Sequence, residues 1–103
     1  MTSAHIAGVG MTEFGESPER TGRDLFAEAG DTAIEDAGID REAIDALYVG
    51  NFMGELSENQ GHMGPLMAKS VGIDAPATRV ESACASGGMA VRQAVKDVRN
   101  GEA

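Results

Sequence analysis

The 103 residues are 42 % apolar, enough for one small domain and too hydrophobic for a disordered chain. Eight basic residues against seventeen acidic ones leave a net charge of −9, which argues against a nucleic-acid or anionic-membrane surface. No apolar run approaches the roughly 20 residues of a membrane span.

Phe14, Phe26, Tyr48 and Phe52 are the only aromatics, so the core must come from Ala, Val, Ile, Leu and Met. The start of the chain lacks a basic region followed by an apolar one, so no secretory signal is expected. A single cysteine, Cys84, cannot form an internal disulfide, which fits a reducing cytoplasm. With only His5 and His62 beside it, no zinc-ligand spacing exists and no metal is expected.

Taken in order, residues 5–9 (His-Ile-Ala-Gly-Val) read as a short buried strand. Gly8, Gly10 and Gly15 follow a G-x-G-x-x-x-x-G spacing, which is wrong for a dinucleotide loop. Thr21 and Asp24 make a T-x-x-D capping pattern, and Phe26, Ala29, Ala33 and Ala37 then share one helical face. Gly38 is placed to end that helix in a left-handed conformation. Asp40 would cap a short turn through residues 41–44, and residues 46–49 read as a second strand.

Residues 50–64 hold four glycines among polar and large apolar side chains, the composition of a functional or interface loop. His62 lies in it, but no spacing brings it to Cys84, and a surface or interface histidine is the simpler reading. Met63, Leu66, Met67 and Val71 form a helical stripe, with Pro65 tolerable in its first turn and Gly72 as its stop. A third strand then leads to Cys84. Beyond it, Val91, Ala94, Val95 and Val98 fall at i, i+3, i+4 and i+7 of an amphipathic helix. The order is βαβαβα, an α/β class with three parallel strands covered by helices.

Cys84 sits where strand alternation gives way to helical spacing. Unpaired N–H groups and the macrodipole at a helix start favour a thiolate there. Ser86, Gly87 and Gly88 would leave the space around the sulfur uncrowded, and the glycines would let backbone donors approach a bound carbonyl. Cys84 is therefore a candidate nucleophile. Lone cysteines are also commonly small buried hydrophobes, so an inert thiol stands beside that reading.

Residues 80–90 (Val-Glu-Ser-Ala-Cys-Ala-Ser-Gly-Gly-Met-Ala) resemble the nucleophile segment of the thiolases, where a cysteine is followed by any residue and then Ser-Gly. The likeness is greatest to the sterol-carrier-type and archaeal branch. Residues 6–15, 45–51 and 59–63 are similar to that branch as well, so the resemblance covers essentially the whole chain. It implies a layered α/β fold, of which residues 1–103 would be the βαβαβα portion of the first half-domain. It also implies acyl transfer between coenzyme A thioesters through a thioester on Cys84, whose backbone N–H would help hold the oxyanion. No bound cofactor is implied, since coenzyme A enters as substrate. Homodimers or homotetramers, and complexes with other acyl-CoA enzymes, are implied for the full-length form.

In thiolases the activating histidine and a second acid–base cysteine come from later parts of a longer chain. The resemblance therefore implies an N-terminal fragment that is inactive in isolation. Two rival readings are a thiolase-like assembly or lipid-handling protein without turnover, and a small α/β interaction module with an inert buried thiol.

Overall fold

The computed structural model describes residues 3–53 and 61–103. Two strands, β1 (Leu47–Gly50) and β2 (Ala77–Val80), run parallel with Leu47 opposite Ala77 and Gly50 opposite Val80. Among the described residues three α-helices accompany them, namely α1 (Gly22–Ala37), α2 (Met63–Val71) and α3 (Ser86–Arg99). A single 3₁₀ turn spans Arg41–Ala43.

The start of α1 follows from its capping pair. Asp24 N–H donates to Thr21 Oγ1 at 3.2 Å, and Thr21 N–H donates to Asp24 Oδ2 at 3.0 Å, so two end donors find acceptors. Gly38 ends the helix at φ 66°, and its N–H returns to Ile34 and Glu35. Pro65 occupies the third position of α2, where a missing N–H costs nothing, and Gly72 closes that helix at φ 72°. Asp40 precedes the 3₁₀ turn without a side-chain cap bond. Arg41 does the fastening there. Its Nε donates to the Val71 carbonyl at 2.7 Å, and its guanidinium pairs with Asp31 of α1.

Strand alternation decides which helix covers which face. Leu47 and Val49 point to the side where Val49 is buried with Met63 and Met67 of α2. Phe26 of α1 packs against the same cluster, so α1 lies outside α2. Tyr48 and Gly50 point the opposite way, toward α3: Tyr48 hydrogen-bonds Asp97, and Gly50 meets the backbone of Ser86. The sheet is thus sandwiched between α2 and α3.

Two expectations need correction. Residues 5–9 do not form a buried strand: Ile6 is 83 % and Val9 66 % exposed, and the described sheet has two strands. The segment lies along α1 instead. Gly8 and Gly10 allow its backbone to rest on the backbone of residues 29–37, and Val9 N–H donates to Asp36 Oδ2 at 3.0 Å. The donor that a neighbouring strand would have accepted is taken by a carboxylate. The face of α3 is also rotated from its apolar stripe. Ser86 and Ala90 are buried and Asp97 is half-buried, whereas Val91 is 59 % and Val95 37 % exposed. The bonds of Ser86 and Asp97 to the turn and sheet orient this helix, so that Ala94 and Val98 of the stripe are half-buried while Val91 and Val95 turn outward.

Candidate functional site

Both strands end on the same side, and the chain leaves β2 there to make a tight turn before α3. Asn51 N–H continues the sheet bonding to the Val80 carbonyl at 3.1 Å. Arg79 Nε donates to the Asn51 carbonyl at 2.8 Å, tying residues 50–53 beside the turn. Parallel sheets bind ligands at this carboxyl end, where the chain turns away from the strands.

The turn is built from residues 82–86. Ala85 N–H donates to the Ser82 carbonyl at 2.9 Å, and Ser86 N–H to that of Ala83 at 3.2 Å. Ala83 holds φ +48°, a left-handed conformation that costs a non-glycine residue about 1 kcal/mol or more. Its N–H donates to Glu81 Oε2 at 2.8 Å. Ser86 fastens the turn from inside: its Oγ accepts the Ser82 N–H at 2.8 Å and donates to the Ala83 carbonyl at 2.7 Å. It is 4 % exposed. Beyond the expected room around the sulfur, Ser86 thus has a fastening role that sequence reasoning did not assign, because its hydroxyl faces the turn.

Cys84 stands at the apex of this turn, two residues before the first helical residue, and is exposed. The buried-thiol alternative fails on that geometry. Gly87 and Gly88 follow in the first turn of α3, and their N–H groups have no acceptor among the described residues. A Cβ at either glycine would meet nothing within 4 Å, so the side-chain face of this first turn is uncrowded.

A cavity of about 240 Å³ lies between residues 50–53 and the turn, with Phe52, Met53, Ala83, Cys84 and Ser86 in its wall. A wider groove of about 550 Å³ runs past Pro65, Lys69, Asp74 and Ala77, and no thiol or hydroxyl side chain lines it among the described residues. The smaller cavity is the chemical one, since it places an exposed sulfur beside apolar side chains and unpaired backbone donors. A reachable sulfur and backbone donors on one wall are the groups acyl transfer uses, as nucleophile and as partners for developing negative charge. No His, Asp or Glu side chain lines the cavity among the described residues. His62 stands at the start of α2, outside that wall. Among the described residues no three His, Cys, Asp or Glu side chains converge to hold a metal ion.

Sequence reasoning marked residues 50–64 as a functional or interface loop without singling out residues 50–53 beside Cys84, and it missed Arg79. The glycine-rich composition after residue 49 marked the segment, and the part covering residues 54–60 lies outside the described residues. Nothing in spacing alone could pair Arg79 with Asn51, because the contact depends on strand register.

Comparison with known proteins bears on the same residues. The family model described as "Thiolase, N-terminal domain" matches residues 4–103. The acetyl-CoA acetyltransferase of Methanocaldococcus jannaschii is 49 % identical over 102 residues, covering 98 % of this chain and 26 % of the relative. That of Methanothermobacter thermautotrophicus is 44 % identical over 102 residues, covering 98 % of this chain and 27 % of the relative. The benzoylsuccinyl-CoA thiolase subunit BbsB of Thauera aromatica is 37 % identical over 103 residues, covering 94 % and 24 %. The chain thus spans about a quarter of the length of these relatives.

Proposed function

The chain belongs to the thiolase family, and on that premise we propose that it carries the acyl-accepting cysteine of an acyl-CoA C-acyltransferase. The observation that carries this reading is the exposed Cys84 at the apex of a hydrogen-bonded turn, beside an open cavity and unpaired amides. The Cys84 thiolate attacks the carbonyl carbon of an acyl-CoA thioester, and the carbonyl oxygen takes the electron pair. The Cys84 N–H and the helix-start amides hold that oxyanion. The pair then returns, the coenzyme A thiolate leaves, and the acyl group rests on Sγ. In condensation an acyl-CoA enolate attacks this thioester carbonyl, the carbon–carbon bond forms and the Cys84 thiolate leaves. In cleavage Cys84 attacks the 3-keto carbonyl of a 3-ketoacyl-CoA, the acyl-CoA enolate leaves and takes up a proton, and coenzyme A thiolate then carries the acyl group off Sγ. Sulfur suits both halves because it attacks well and also leaves well.

Acetyl-CoA is the first substrate to try, given the names of the two archaeal relatives. The acidic surface and lone thiol favour a cytoplasmic protein with no nucleic-acid or membrane partner. Exposed Ile6, Met11 and Phe14 offer apolar surface for further protein, consistent with a homodimer, homotetramer or acyl-CoA enzyme complex in the full-length form.

The test is intact-mass spectrometry of the chain after exposure to acetyl-CoA. One acetyl group is expected on Cys84, absent in Cys84→Ser. With no His, Asp or Glu lining the cavity among the described residues, acetoacetyl-CoA thiolysis by the 103-residue chain is expected to be undetectable. Failure of acetyl-CoA to label Cys84, while iodoacetamide does, would sink the proposal.

A further inference from the structure

Ser86 is the one buried polar side chain among the described residues, and both of its hydrogen bonds go to the turn that carries Cys84. Few residues are so placed. Its hydroxyl joins Ser82, where the chain leaves the sheet, to Ala83, the residue held at φ +48°. Without the hydroxyl the Ser82 N–H would lose this acceptor and the Ala83 carbonyl would keep only the 3.2 Å bond from the Ser86 N–H, at the start of a helix that has no side-chain N-cap bond. Alanine at 83 has no intrinsic preference for a left-handed backbone, so the surrounding bonds must hold it there. The neighbouring residue is Cys84. Its Sγ direction therefore depends on a backbone angle that Ser86 helps to fix.

We infer that Ser86 is a positioning residue for acyl transfer, locking the turn so that Sγ and the helix-start amides face the same carbonyl. This rests on the reading of Cys84 as the acyl-accepting nucleophile. The consequence is specific to acyl chemistry. Attack on a carbonyl needs sulfur and oxyanion donors in one geometry, whereas alkylation by iodoacetamide needs only an accessible sulfur. Loss of the latch should separate the two reactions.

The experiment compares the wild-type chain with Ser86→Ala and Ser86→Thr. Acylation of Cys84 by p-nitrophenyl acetate is followed by nitrophenolate release, and alkylation by iodoacetamide is followed by mass. p-Nitrophenyl acetate contains no coenzyme A, so failure of acetyl-CoA labelling and failure of this inference remain distinct results. In Ser86→Ala, acylation should fall at least about tenfold while alkylation changes less than about twofold, the signature of lost orientation rather than lost exposure. Ser86→Thr keeps the hydroxyl and should restore acylation to within about threefold of wild type. Ala83→Gly removes the left-handed penalty, so the same comparison in that background covers the case in which Ser86→Ala alone does not fold. Equal acylation of Ser86→Ala and wild type would overturn the inference. So would parallel loss of both reactions, absence of rescue by threonine, or a wild-type acylation rate no higher than that of glutathione.

Discussion

Gly50, at the end of β1, lies so close to Ser86 that a Cβ built on it would stand 2.5 Å from the Ser86 carbonyl oxygen. Strand alternation turns this residue toward α3, and the helix start can approach the sheet because nothing projects there. Both atoms are backbone-fixed, so a methyl group must move the helix. Gly50→Ala should cost about 1–3 kcal/mol, read as a lower urea midpoint. An unchanged midpoint would show that β1 and α3 are not in such contact.

The second hinge between β1 and α3 is the hydrogen bond from the Tyr48 hydroxyl to Asp97, which also accepts from Gln93 Nε2 at 3.1 Å. That bond, with partial burial and the Asp97 charge, pushes the Tyr48 phenol up from 10.0 to about 12. A raised value means that the protonated phenol is the form the fold favours. Its stabilisation is complete below pH 10 and is lost as pH rises through about 12. Tyr48→Phe should cost about 1 kcal/mol at neutral pH, because Asp97 keeps its Gln93 bond. Phenolate absorbance gives the titration directly, and a midpoint near 10 would contradict the bond.

At the acid end the capping pair of α1 sets the opposite sign. The Thr21 backbone N–H bonded to the Asp24 carboxylate, helped by the Thr21 hydroxyl and nearby arginines, holds Asp24 below its ordinary 3.8. The charged carboxylate is therefore the form that the fold favours. Its contribution is present above that ordinary value and fades as pH falls through the lower folded one. Asp24→Asn should flatten this part of the acid unfolding curve measured by circular dichroism. Thr21→Ala should lower neutral-pH stability by about 1 kcal/mol. No change in either variant would remove the cap from the account of α1.

Met67 is 2 % exposed and packs with Met63 and Val49, under Phe26 and Leu47. It is where α1, α2 and the sheet share one core. Met67→Ala should cost about 2–5 kcal/mol by loss of transfer energy and the cavity left behind. In a chain with so few fully buried side chains this approaches the whole stability, so loss of cooperative melting is the expected readout. Retention of the wild-type melting temperature would show that the core lies elsewhere.

Local chemistry made much of this protein legible in advance. The T-x-x-D pair, Gly38, Gly72 and the first-turn Pro65 mark helix ends because each acts on backbone groups a few residues away. Apolar spacing placed α2, and the alternation before Cys84 placed the strand-to-helix turn. The segment around Cys84 could be matched to a family because its nucleophile, serine and glycines are contiguous. The α/β class followed from the order of these elements.

Other features depended on which surfaces meet. Residues 5–9 have strand composition, yet a strand exists only with a neighbour, and here glycine packing and Asp36 keep the segment on α1. The apolar stripe of α3 predicts one buried edge, but Ser86 and Asp97 are bonded to the turn and sheet, so Ala94 and Val98 are half-buried and Val91 and Val95 face outward. Ser86 itself looks like a small, permissive residue in the sequence. Its role as a latch required knowing that Ser82, Ala83 and Ser86 close on one hydroxyl, a relation of backbone direction that composition and spacing do not encode.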